Sequence, residues 1–549
     1  MFCRNRPSGF VLSACCGALL LSVGCGETAG VADVPSGPDV QDVFQADPGS
    51  DTPADNGSDI EDLATDESGM PDGDAVQTDI PPEAIVETVE LVDTVGDPGT
   101  ETGDADAEDF DSDSGPPSPV AGMVKDLRPG LESSEPWGFV PFDGRVFFVA
   151  DDGVHGFELW VTDGTPEGTA MLKDIGTVDS NDPFLLQVFG GSLYFVAADG
   201  IHGSELWRTD GTEGGTALFL DINPGPAGSS PDSMTELDGL LLFTADDGSN
   251  GVELWRTDGT PAGTEMVLDL FAGSDGSYPH AFARVGSQVF FGATDLDHGI
   301  ELWKTDGSTE GTVLVKDNNP GSASTQMNYS FGLDGVLYFA AMDDAAGYEL
   351  WKSDGTEAGT FLLKDIRPGI GGSFPGSFAA LDHVVYFFAQ DGTHGSELWR
   401  SDGTEAGTWM VKDINPTGPT TYTALLVFNG VLYFAADDGI RGQELWKTDG
   451  TEAGTVLVKD IQSGSGASSP FLQLVYEGEL WFVADDGIHG SEIWKTDGSE
   501  AGTVMAFDLV PGPTGSSAWD LVPVGTRFVF SADDGEHGAE LFQAPIGTN

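Results

Sequence analysis

Cysteine is nearly absent from this chain of 549 residues: Cys3, Cys15, Cys16 and Cys25 are all it holds. That count excludes a disulfide framework or a cysteine zinc site in the mature body. Positive charge is scarce as well. Lys and Arg total 21 against 92 Asp and Glu, a net charge of −71. A phosphate backbone would be repelled, so nucleic acid is not a partner. Metal cations, basic partners or plain solubility are the compatible readings. Helical spacing is missing too: no stretch repeats its apolar residues at a helical period for the length of a helix. There is no phosphate loop, nucleophile elbow, HExxH or EF-hand spacing.

What is present begins with an export signal. Arg4 and Arg6 precede an apolar, small-residue run, Gly9 to Gly24, too short and wrongly flanked for a membrane span. Leu21-Ser22-Val23-Gly24-Cys25 resembles a bacterial lipoprotein signal, with Ser22 departing from the leucine usual there. The resemblance implies cleavage after residue 24, acylation of Cys25 and a membrane partner reached through lipid. It implies an exported envelope protein, either an outer-membrane lipoprotein or one exposed at the cell surface. The alternative is an ordinary cleaved signal peptide. From Gly26 to Val120 there are 27 acidic residues and no Lys, Arg or His. Such a segment cannot bury enough apolar area to offset chain entropy. Residues 25–120 therefore read as an extended, disordered tether.

Residues 121–549 repeat. The glutamate of an "ELW" phrase falls at Glu158, Glu205, Glu253, Glu301, Glu349, Glu397, Glu444, Glu492 and Glu540, at spacings of 47 or 48. A fixed period of this size marks stacked supersecondary units. Each unit holds four short runs rich in Val, Leu, Tyr, Phe and Trp, bounded by Gly, Asp and Asn. Near residue 430 they are "YTALLVFNG", "VLYFAADDG", "QELWKTDG" and "TVLVKDI". Four strands per period predict an all-β propeller of four-stranded blades. Asp143-Gly144, Gly190-Gly191, Asp238-Gly239, Asp334-Gly335 and Asn429-Gly430 suit type I′ hairpins between the first two strands. The longest connection follows the "KD" strand, as a crossover between blades should. The four runs then order from axis to rim as written. The array opens on a lone outer strand, "MVKDL" from Met123, and ends one strand short. Nine blades closed by that N-terminal strand follow, with an open or split array as the alternative.

"ELWRTDGTEGGT" and its copies resemble the ELWxxDGT repeat family of secreted bacterial proteins. The resemblance covers residues 122–549 and implies no activity; the ninth copy departs, with Phe542-Gln543-Ala544-Pro545 in place of the Asp-Gly turn. Alternation puts Glu205, Trp207 and Thr209 on one strand face and Leu206 on the other. A ring at one fixed point of every unit (Trp160, Trp207, Trp255, Trp303, Trp351, Trp399, Trp446 and Trp494) predicts packing against the next blade. Ligand platforms are the alternative. Asp210-Gly211 and its equivalents read as turns whose carboxylate caps its own backbone.

The "ADDGxHG" loops and the ends of the "KD" strands should share one face, for example Asp437, Asp438 and Asp413. Candidate calcium ligands are Asp151, Asp152, Asp246, Asp247, Asp437, Asp438, Asp485, Asp486, Asp533 and Asp534, because hard cations favour oxygen clusters. The competing reading is that Asp and Gly only make turns. The histidines of "HG", such as His155 and His394, are replaced by Arg441 in one unit, which favours a loop role over zinc. Nine similar glutamates suggest structure rather than catalysis, pairing with strand lysines such as Lys412 and Lys459. No catalytic residue is assigned. The functional readings are a lipid-anchored binding or adhesion module for an extracellular or envelope ligand, a propeller enzyme acting on carbohydrate or another polymer, and a calcium-stabilised structural protein. An enzyme should concentrate non-repeating polar residues near the axis. The most irregular phrases are those from Thr294 to Trp303 and from Asp343 to Trp351.

Overall fold

The structure, a computed structural model, describes residues 121–176, 182–321, 324–416, 418, 420 and 424–547. The signal, the tether and Cys25 lie outside the described residues. So does the start of the run from Tyr422.

Thirty-six strands form nine four-stranded antiparallel sheets. Blade 7 is typical: Leu426–Phe428, Val431–Asp437, Gln443–Thr448 and Val456–Lys459, hydrogen-bonded in that order. Among the described residues the sole helical element is the short turn Pro261–Gly263, and no helix is long and apolar enough to cross a membrane. The second strand of each blade explains the architecture. In Val431–Asp437 five successive residues are buried. A strand buried on both faces must lie between two sheets.

The first hairpins are type I′ in backbone sign. Asp143 and Gly144 have φ of 51° and 74°, and Asn429 and Gly430 have 52° and 72°. The strand before each pair is innermost: the nine first strands neighbour one another in one closed cycle, and Trp519–Val524 of blade 9 lies beside Trp137–Phe142 of blade 1. Blade 9 takes its fourth strand from Gly122–Lys125, which runs antiparallel to Ala539–Pro545 with Met123 opposite Phe542. The ring of nine is closed by the start of the described chain.

Nine apolar clusters fill the nine gaps between blades. Trp207 packs with Phe147, Leu159 and Leu172 of blade 1, whereas Leu206 faces Met234 and Leu241 of blade 3. The alternation is as expected, but the neighbour is corrected. Each tryptophan packs on the preceding blade, and the aliphatic residue before it packs on the following one. Trp160 closes the cycle against Val524 and Leu541 of blade 9, and Phe542 takes the position in the ninth copy. Trp207, Trp303, Trp351, Trp399, Trp446 and Trp494 are buried in the same way, and Trp255 is partly buried.

Candidate functional site

Antiparallel strands place two kinds of loop on one face of the ring: the "ADDGxHG" loops and the blade-to-blade crossovers. The aspartates of the first are tied to their own loops. Asp151 accepts from Gly153 N at 2.7 Å and pairs with Arg128 at 2.6 Å. Asp152 accepts from the backbone of Val154 and His155, each at 2.8 Å, and holds His155 Nδ1 at 2.7 Å. Asp246, Asp437, Asp485 and Asp533 repeat the first pattern on the glycine two residues on. Asp247, Asp438, Asp486 and Asp534 repeat the second. In the shortened loop before Trp303, Asp295 alone does this work for Asp297 and His298.

Each of the six "HG" histidines holds the aspartate three residues earlier at 2.6–2.8 Å. Asn250 and Arg441 make the equivalent contact. The Asp391 bond raises the His394 pKa, and Asp413 adds to it. One carboxylate oxygen of Asp413 is buried with no hydrogen-bond partner among the described residues. Burial works to raise the Asp152 carboxyl, but the backbone and ring hydrogen bonds of His155 outweigh it and hold it low. Among the described residues no group of three or more His, Cys, Asp or Glu side chains could hold a metal ion.

The repeated glutamates staple the crossovers. All nine are fully buried. Glu205 accepts from Ile222 N, Asn223 N and Ser229 N at 3.1, 3.0 and 2.9 Å, and from Ser229 Oγ at 2.5 Å. Glu253, Glu349, Glu444, Glu492 and Glu540 hold a serine in the same way; Glu301 and Glu397 hold Thr325 and Thr420. Desolvation pushes the carboxyls up, to about 7 for Glu301 and Glu397. The expected lysine pairing is corrected. Lys412 Nζ donates to Thr455 O at 2.8 Å across the blade gap and lies 5.7 Å from the Trp446 ring centre. Lys459 does the same to Thr503 O and Trp494. Lys412 lies opposite Leu398 and shares its face toward the next blade, whereas Glu397 lies on the other face of the strand.

Each staple fixes the residue after it. Ser277 N and Tyr278 N both donate to Val252 O, at 3.0 and 3.1 Å, and Tyr278 is left at φ 49°. Ser373 and Phe374 do so on Tyr348 O, with Phe374 at φ 50°. The first strand follows immediately, and its head carries the side chains that differ most between blades: Trp137, Phe184, Asp232, His280, Phe471 and Trp519. Register shifts of the bulge type sit here in blades 1, 2, 3, 4, 6, 8 and 9. A bulge re-aims the side chains beside it. Polar ties join neighbouring heads. Gln473 Oε1 accepts from Asp520 N at 2.9 Å, and Asp520 accepts from Phe139 N at 3.3 Å. Asp520 keeps some solvent contact, yet the protein crowds it enough that desolvation pushes its carboxyl up to about 6.

None of these head residues was singled out from the sequence. The signal was available: they are the column that fails to repeat, just after the serine or threonine 23 or 24 residues beyond each "ELW" glutamate. On the opposite face, a shallow depression of about 240 Å³ lies between Pro141–Arg145 and Pro523–Gly525. It marks the seam between blades 1 and 9.

No family model matches the chain, and no curated protein matches it. Among solved structures it is similar to a puromycin hydrolase, at 14% identity and TM-score 0.34 over 69% of this chain and 62% of that one. It is similar to oligopeptidase B from Leishmania major, at 11% and 0.36 over 64% and 51%. It is also similar to the β-propeller domain of the Trilobed protease from Pyrococcus furiosus, at 12% and 0.31 over 58% and 96%. The chain spans about three fifths of the first of these. Likeness this weak carries neither a residue nor an activity across, and the nine-blade description stands on the chain's own strand pairing.

Proposed function

We propose that the protein is an exported, lipid-anchored binding module: Cys25 acylated, residues 26–120 a tether, and the propeller's crossover face presented to an extracellular or envelope ligand. One observation carries this reading. The repeated glutamates, loop aspartates and loop histidines are tied into the fold, whereas the strand heads around the axis vary from blade to blade and so can carry recognition. Binding and catalytic residues concentrate on loops held by a rigid scaffold, and a ring of stapled crossovers is such a scaffold.

The test has two parts. Mass spectrometry of the exported protein should find lipid on its first residue, Cys25, and Cys25→Ser should release the protein from membranes. A screen of glycans, polymers and basic proteins against the full chain should find a ligand whose binding is lost on changing strand-head residues such as Trp137 or Asp232. Retention of that ligand by those variants would move the site elsewhere.

A further inference from the structure

We infer that the ligand is a neutral polysaccharide, gripped by Tyr278, Tyr329 and Phe374; this rests on the binding-module reading and names its ligand class. The three rings belong to three consecutive crossovers, entering blades 4, 5 and 6. Each stands one or two residues before its first strand, ahead of His280, Ser330 and Gly376. They are 59%, 56% and 54% exposed, on crossovers of the same face of the ring.

The fold sets Tyr278 and Phe374 at the left-handed position after the staple, where Tyr329's own crossover has Gln326. The left-handed position after the staple holds Ser230, Gln326, Ser469 and Ser517 in other blades. Bulky residues rarely adopt that backbone, which costs on the order of 1–2 kcal/mol. Tyr278 and Phe374 adopt it while keeping more than half of their surface in water, a backbone cost that a binding role accounts for.

Two of the rings are also supported from behind, and the backbone of the third is held. Phe374 stacks at 5.5 Å on Tyr348, which is itself buried and replaces the small or aliphatic residue of most other blades. Tyr329 lies along blade 6, 3.5 Å from where Gly376 would carry a side chain. The two ring nitrogens of His280 lie 3.0 and 3.1 Å from the carbonyls of Tyr278 and Met327, between blades 4 and 5, and the neutral ring donates to one of them.

A rigid aromatic with one face braced and the other wet suits a ligand that offers flat C–H surface and hydroxyls together, as a pyranose does. Face-packed sheets lie about 10 Å apart, wider than one sugar ring, so an extended chain would meet more than one platform. Charge decides the class. Outside the tether the chain keeps 92 − 27 = 65 acidic residues against 21 − 2 = 19 basic ones, once Arg4 and Arg6 are set aside. Polyanionic glycans and anionic lipid surfaces are therefore repelled.

The experiment is calorimetry on the full-length chain with cellohexaose, xylohexaose and N-acetylchitohexaose, and with polygalacturonate as the anionic arm. At least one neutral hexaose should bind, and polygalacturonate should not. Tyr278→Ser, Tyr329→Ser and Phe374→Ser should each weaken binding about tenfold, or about 1.4 kcal/mol, and the triple variant should abolish it. Serine already occupies the Tyr278 and Phe374 position in blades 3, 8 and 9, and the melting temperature of each variant, measured alongside, separates lost binding from lost fold. Trp409→Ala, at an exposed ring on the outer rim, should leave binding unchanged. Undiminished binding by the triple variant would overturn the inference, as would polygalacturonate being the only ligand; the binding-module reading would survive either. Silence from all four carbohydrates would also overturn the inference, whereas the wider screen of polymers and basic proteins decides the binding-module reading.

Discussion

Gly215 has no room for a methyl group. A Cβ there would lie 2.0 Å from an Asp210 carboxylate oxygen. That oxygen accepts from Thr212 N at 3.0 Å and Thr212 Oγ1 at 2.7 Å, closing the "TDGT" turn as its composition suggested. Gly215→Ala should therefore lower stability by about 1–3 kcal/mol, measured by denaturant unfolding. Asp210→Ala alone should cost about 1 kcal/mol. Together they should cost less than their sum, because the second change removes the clash of the first.

The stapling glutamates give a pH prediction. Their folded pKa values are raised, so the folded state binds more protons than the unfolded one between the two values. Stability from this source is full below about 4.5 and is lost as pH rises through about 7 for Glu301 and Glu397. The melting temperature should fall between pH 5 and pH 8. Glu301→Gln, fixed in the neutral form, should flatten that slope. An identical slope in wild type and variant would reject the assignment. That these residues are structural was legible from their ninefold recurrence. Their partners were not, because the bonds reach 17 to 24 residues ahead across a loop whose path the sequence does not state.

At the scale of the strand, alternation and turn chemistry carried far. Asp143-Gly144 and Asn429-Gly430 named their hairpin type, and the buried run of Val431–Asp437 named a strand enclosed on both faces. What alternation cannot say is which neighbour a face meets. Trp207 was correctly placed on the face opposite Leu206, but it meets the preceding blade. The same limit hid the lysines. Lys412 crosses the gap to Thr455 and Trp446, so it clasps blades 6 and 7. Lys412→Ala should cost about 1–2 kcal/mol by loss of a carbonyl hydrogen bond and a ring contact. Lys412→Met should recover part of that, because the stem still covers Trp446. A double-mutant cycle with Glu397→Gln should show coupling below about 0.5 kcal/mol; stronger coupling would restore the lysine–glutamate pair.

The closed ring was the most legible feature of the whole molecule, since a repeat that begins on an outer strand and ends one strand short can complete itself. The strand heads were the least legible, because recognition lies in departures from the repeat, and a departure carries no periodic signal. Closure can be tested directly. Gly122–Lys125 pairs with Ala539–Pro545. Val124 and Leu127 are buried in the cluster that joins blades 9 and 1, and Leu127 N donates to Glu540 at 2.8 Å. Burying two such side chains contributes about 3–6 kcal/mol. A chain beginning at Gly130 loses all of this and bares the edge of Ala539–Pro545, with its unpaired backbone groups. A chain beginning at Pro119 loses none of it. The shorter chain should melt clearly lower and associate through the open edge, seen by light scattering. In an open array the terminal strand would steady only its own unit, whereas here it holds the first blade to the last. Equal melting and equal monomer content in the two chains would count against the clasp.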